Sequence, residues 1–151
     1  MSRTKYVLDT NCFIDASRDA AAREAFSQFC YAAAPFLYLS AVVGAELRAG
    51  ITDSRPGRRF EREVLSPYHR RGRVLTPSAR SWEALGTVLA RLRIRDGLEH
   101  SQVPRSFIFD ILIAQTCREA GATLVSRNTR DLTRIARITP FPFVAPYPSL
   151  V

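Results

Sequence analysis

The chain has 151 residues, 46% hydrophobic and 24% charged, ordinary globular proportions that exclude a disordered or fibrous polymer and lead us to expect one domain over 1–151. Lys and Arg number 22 against 14 Asp and Glu, a net charge of +8, and Lys5 is the single lysine; an arginine excess of this kind suits an anionic partner such as nucleic acid or an acidic protein segment. Cys12, Cys30 and Cys117 form no Cys-x-x-Cys pair, which argues against a disulfide framework or a thiolate zinc site and for a reducing cytoplasm.

In chain order, Lys5 to Leu8 reads as a buried strand ending in Asp9-Thr10-Asn11. Ala16 to Ala34 is alanine-rich with helical spacing, and Phe36 to Leu39 is a second strand. The stretch Ala25 to Ala45 carries no charge and is long enough to cross a bilayer, but Pro35, Ser27, Gln28 and Ser40 interrupt it; the expectation is a protein without a membrane segment. Ser40 is placed to cap a helix to Ala49 with Gly50 as its stop. A basic helix is expected over Gly57 to Tyr68, a loop at His69 to Gly72, and a third strand at Arg73 to Leu75. Thr76-Pro77-Ser78 opens a helix with Trp82, Leu85, Val88, Leu89 and Leu92 on an expected core face. Asp96 to Arg105 reads as a loop, and Phe107 to Ala120 as an apolar helix stopped by Gly121. A strand over Thr123 to Ser126, a helix over Asn128 to Ala136 and a strand over Ile138 to Val144, broken by Pro140 and Pro142, complete the order. Strands alternating with helices imply an α/β fold with a mostly parallel sheet.

Four carboxylates stand in neighbourhoods where a solvated acid is out of place. Asp9 follows Tyr-Val-Leu, Glu46 lies in Val-Val-Gly-Ala-Glu-Leu, Asp110 interrupts Phe-Ile-Phe-Asp-Ile-Leu-Ile, and Asp131 follows the fourth strand. A buried carboxylate needs a cation, hydrogen-bond donors or a raised pKa. Parallel sheets collect ligands at the carboxyl ends of their strands, where Asp9 and Asp131 fall and where helices could bring Glu46 and Asp110. Hard oxygen ligands without histidine or thiol suit Mg²⁺ or Mn²⁺, and such a cluster activates water and steadies a phosphodiester during displacement. Arginines around it would guide the phosphate backbone.

Each acid also has a plainer reading. Asp9 could accept backbone N–H groups at a strand end, Glu46 could pair with Arg48 or Lys5, and Asp131 could cap the helix after it. His69 and His100 lie in polar segments and read as solvated, and Cys12 as a small buried residue. The clusters Arg55-Arg58-Arg59-Arg62 and Arg70-Arg71-Arg73 suit a solvated face, RNA contact or a protein partner equally.

The motifs Val-Leu-Asp-Thr-Asn (7–11), Leu-Ser-Ala-Val-Val-Gly-Ala-Glu-Leu (39–47), Phe-Asp-Ile-Leu-Ile-Ala (109–114) and Leu-Val-Ser-Arg-Asn-Thr-Arg-Asp-Leu (124–132) together resemble the PIN-domain ribonucleases, most closely the VapC toxins of bacterial toxin–antitoxin pairs. The resemblance implies a three-layer α/β/α sandwich, Mg²⁺- or Mn²⁺-dependent cleavage of RNA, a homodimer, and inhibition by a cognate antitoxin. By position, Asp9, Glu46 and Asp110 match the core acids, and Asn11 and Ser126 match polar positions that orient a ligand or water. One common form of the family has an aspartate where Asn128 stands, so either Asn128 or Asp131 completes the site. Leu132 replaces an aromatic residue frequent at that position. A haloacid dehalogenase-like phosphatase would need an acid at Asn11, and nucleotide-binding glycine loops are missing. The remaining alternatives are a PIN-like module that binds RNA or protein without cutting, and a free-standing RNA-processing nuclease.

Overall fold

The computed structural model describes residues 4–51 and 54–150. Its strands are β1 (Lys5–Leu8), β2 (Leu37–Ser40), β3 (Val74–Leu75), β4 (Ala122–Val125) and β5 (Phe143–Val144), ordered β3-β2-β1-β4-β5. Every pairing is parallel, with Tyr6 opposite Leu37 and Lys5 to Leu8 opposite Ala122 to Val125. The chain builds outward from β1 through β2 to β3, then returns to lay β4 on the other side of β1. The strand order therefore reverses between β1 and β4, and the crevice beyond their carboxyl ends is the place where such sheets bind ligands.

Parallel strands require helical crossovers. These are α1 (Thr10–Arg18), α2 (Ala20–Ala33), α3 (Ala41–Gly50), α4 (Arg55–Phe60), α5 (Ser66–Arg70), α6 (Ala79–Asp96), α7 (Arg105–Ala120) and α8 (Thr129–Ala136). The helix expected from Ala16 begins six residues earlier and is two helices. Asp9 caps α1 by accepting the Thr10 N–H, and Asp19 ends α1 and caps α2 through the Ala22 N–H. Ser40 caps α3 as expected, accepting from Val42 and Val43. The basic helix after it is longer than expected at both ends, with a π-helical stretch at Glu61–Leu65 between α4 and α5. Ser78 caps α6, and Gly121 stops α7 in the left-handed conformation (φ 64°) that glycine adopts without strain.

Central strands β1 and β4 bury Val7, Leu8, Leu124 and Val125. Helix α7 lies against β4 with α3, α6 and α8 around it, so Ile111, Leu112, Ile113, Ala114 and Cys117 all disappear from solvent. That position explains its apolar sequence and makes Asp110 conspicuous. Two further expectations fail. Trp82 is 57% exposed and not core, because the buried stripe of α6 runs through Ser81, Leu85, Val88 and Leu92 and leaves Trp82 one position off it. The last strand shrinks to Phe143–Val144, since Pro140 and Pro142 have no N–H to give a ladder. Among the described residues, no helix is long and apolar enough to cross a membrane.

Candidate metal centre

The four acids come from four elements, and Asp9, Glu46 and Asp131 all lie within electrostatic reach of Asp110 at the carboxyl end of the sheet. Asp9 ends β1, Glu46 lies on α3, Asp110 in the first half of α7 and Asp131 in the first turn of α8. Asp9 is 4% exposed, and its backbone N–H continues the β1–β4 ladder by donating to the Val125 carbonyl (2.9 Å). Its Oδ1 accepts from the Thr10 N–H (2.8 Å), while Oδ2 accepts from the Ser126 hydroxyl (2.6 Å) and the Asn11 amide (3.3 Å). Burial raises the Asp9 pKa, and the Ser126 and Thr10 donors offset part of that rise.

Ser126 is fully buried and its hydroxyl is fully used. It donates to Asp9 and accepts from the Asn11 amide (2.9 Å) and the Asn128 N–H (3.1 Å). Asn11 also accepts the Arg127 N–H on its Oδ1 (3.1 Å). Asn128 bridges two acids, its amide nitrogen reaching Asp110 Oδ2 (3.2 Å) and Asp131 Oδ2 (3.1 Å). Both candidates for the fourth position are thus at the site, the amide between the two carboxylates. Asp131 does not cap α8, which begins two residues before it.

Glu46 pairs with neither cation considered for it. Arg48 reaches Glu61 (2.8 Å), and Lys5 reaches the Ala120 carbonyl (3.4 Å). Glu46 instead accepts from the Thr10 hydroxyl (2.9 Å); burial raises its pKa, and Asp9 adds to the rise.

Asp110 is the most perturbed of the four. Burial first, then the charges of Asp9, Glu46 and Asp131, push its pKa from an ordinary 3.8 to about 8, and the Asn128 amide recovers only part. Three neighbouring carboxylates act on Asp110 and no cation offsets them there, although Arg105 acts on Glu46; a divalent ion relieves such a condition. The donors are hard oxygens throughout, a set that fits Mg²⁺ or Mn²⁺. Among the described residues, however, no three acidic, His or Cys side chains stand close enough to enclose an ion; hydrogen bonds from Thr10, Asn11, Ser126 and Asn128 hold the carboxylates singly or in pairs.

Three participants escaped the sequence reading. Thr10 holds Glu46, and Arg127 tethers the β4–α8 loop to α1 by a bidentate pair with Asp15 (2.7 and 3.0 Å). Their signal was their place inside the motifs, Thr10 between Asp9 and Asn11 and Arg127 between Ser126 and Asn128. Cys12 is buried next to Asp9, and burial together with that carboxylate pushes its thiol up to about 12, which leaves it an inert packing residue. His69 and His100 are exposed, as expected.

The PIN domain family model matches residues 6–138. Comparison with curated proteins gives no match. Among solved structures, the chain is similar to FitAB bound to an IR36 DNA fragment (TM-score 0.69, 20% identity, 95% of this chain and 96% of the other). It is also similar to FitAcB from Neisseria gonorrhoeae (0.68, 21%, 93% and 97%). A third is VapBC2 from Rickettsia felis bound to a DNA fragment from their promoter (0.66, 22%, 94% and 98%). At these identities the likeness is one of fold.

Proposed function

The chain belongs to the PIN-domain family, and from that premise we propose that it is a Mg²⁺- or Mn²⁺-dependent endoribonuclease, the toxin of a toxin–antitoxin pair. PIN domains are generally nucleases. The observation that carries the reading is the gathering of Asp9, Glu46, Asp110 and Asp131 at the crevice between β1 and β4, with Asp110 lacking any compensating cation. Drawn closer together than they stand here, these four carboxylates would hold the ion, which would supply charge to the scissile phosphate and acidity to its water.

The remaining chemistry belongs to the chain itself. Ser126 and Asn11 fix the buried Asp9 carboxylate, Thr10 fixes Glu46, and Asn128 spaces Asp110 from Asp131. The Arg127–Asp15 pair anchors the loop that carries Ser126 and Asn128. Asp110, its pKa raised by burial and by three neighbouring carboxylates, would have to give up its proton to serve as a ligand. No side chain here is an obvious general base, so the acids serve by positioning and by charge. The FitAB, FitAcB and VapBC2 neighbours support an antitoxin as the inhibiting partner, and a homodimer as the working form is part of the same proposal.

The test is incubation of a mixed RNA pool with purified protein in Mg²⁺ or Mn²⁺, beside EDTA and Asp110→Asn controls. Cleavage that needs metal and disappears in the variant is the expected result. Cleavage that survives both controls refutes the assignment.

A further inference from the structure

Arg130 and Arg134 on helix α8 and Arg137 at its C-terminal cap follow at spacings of four and three residues, which stack them along one side over about 10 Å. With Thr129, Thr133 and Asp96 they line an open concavity of about 450 Å³. Asp96 is the single acid of that lining, and it is already engaged: Arg134 donates to it (3.0 Å) while lying over the Phe107 ring at 5.5 Å. Arg130 and Arg137 are exposed and have no ion pair among the described residues. The face therefore keeps a surplus of positive charge, with Arg134 held rigid at its middle.

The position of this face is as informative as its charge. Asp131 follows Arg130 directly and is hydrogen-bonded to Asn128 inside the acid cluster, so the cationic row begins where the cluster ends. The basic surface of α4 and the π-helical stretch contrasts with it. There Arg59 and Arg62 both pair with Glu63 (3.0 and 3.6 Å), and Arg48 with Glu61. Arg59 and Arg62 share the single Glu63 carboxylate, whereas Arg130 and Arg137 have no ion pair among the described residues.

We propose that the Arg130–Arg134–Arg137 face of α8 is the track on which the phosphate backbone of single-stranded RNA lies as it enters the acid cluster. The proposal rests on the nuclease reading for the direction of travel. A row of guanidinium forks matches a row of phosphates, since each fork can grip two oxygens of one group. Binding along it is sequence-independent, and a flexible single strand can bend from the exposed helix face down to the recessed Asp9.

The test is fluorescence anisotropy of a short labelled polyuridine RNA in EDTA, which separates binding from cleavage. Each phosphate contact to a single strand contributes about 0.7 to the logarithmic salt slope, so removing two lowers it by about 1.4, or about sevenfold less affinity change between about 50 and 200 mM salt. The Arg130→Gln/Arg137→Gln variant is expected to show that flattening and a weaker Kd at low salt, with an unchanged Tm. Arg59→Gln/Arg62→Gln is expected to bind as the wild type does. Unchanged binding in the α8 variant, or equal loss in the α4 variant, overturns the proposal, as does a wild type that does not bind at low salt. Displacement by polyglutamate more readily than by unlabelled RNA would make the face a dock for an acidic protein and overturn it too. Lost binding in the α8 variant beside a wild type that never cuts in Mn²⁺ removes the nuclease reading and leaves this surface standing. Unchanged binding beside metal-dependent cutting does the reverse.

Discussion

Replacing Asp110 by Asn should stabilise the metal-free protein at neutral pH. Asp110 has a pKa of about 8 in the fold against an ordinary 3.8, so the folded chain holds the proton more tightly than the unfolded one. The stability attached to that proton is complete below about pH 4 and drains away as pH rises from about 4 to 8. At about pH 7.5 the shift corresponds to roughly 5 kcal/mol, and partial exposure with loss of native contacts leaves an expected net gain of about 1–3 kcal/mol for the amide. For a chain of this length that is a Tm increase of about 3–8 °C. Asparagine can still accept from Asn128, so the bridge survives the change. The assay is thermal unfolding of both proteins in EDTA at about pH 7.5 and about pH 4, where protonated Asp110 and asparagine are nearly equivalent. A gain at the higher pH that vanishes at the lower is expected. Destabilisation at the higher pH, or the same gain at both, would refute the electrostatic argument.

Ser126→Ala deprives buried Asp9 of its shortest hydrogen bond, leaves the Asn128 N–H without its acceptor and leaves the Asn11 amide only its longer bond to Asp9; a loss of about 1–3 kcal/mol in urea unfolding is expected. Asn128→Asp puts a further carboxylate between Asp110 and Asp131. It should lower the Tm in EDTA and enlarge the rise produced by Mn²⁺, both readable in one set of melting curves. Trp82→Ser, at a side chain 57% exposed, should cost about 1 kcal/mol or less by the same urea unfolding.

The acids were legible because charge in an apolar run is costly, and Asp110 among Phe109, Ile111, Leu112 and Ile113 is the plainest instance. The order of strands was legible too, since short apolar runs ending in polar residues alternate with helical spacing. Helix α1 was hidden by its own chemistry. Thr10, Asn11 and Cys12 are weak helix formers, and only the Asp9 cap and packing of Phe13 against Phe26 and Phe60 draw them into a helix. Trp82 was misplaced because several registers of α6 offer an apolar stripe, and packing on α7 selects the one through Ser81 and Leu85. The Arg127–Asp15 clamp joins residues more than a hundred positions apart, and nothing local in either segment announces it.

The central claim, that these carboxylates form a divalent-metal site, is met most directly by calorimetric titration of Mn²⁺ into the purified protein and into Asp110→Asn at neutral pH. Saturable binding of one or two ions to the wild type is expected, with an affinity loss in the variant of at least about tenfold, the scale on which even an outer-shell partner of a metal site acts. Equal affinity in the two proteins, or no saturable binding to the wild type, would contradict it.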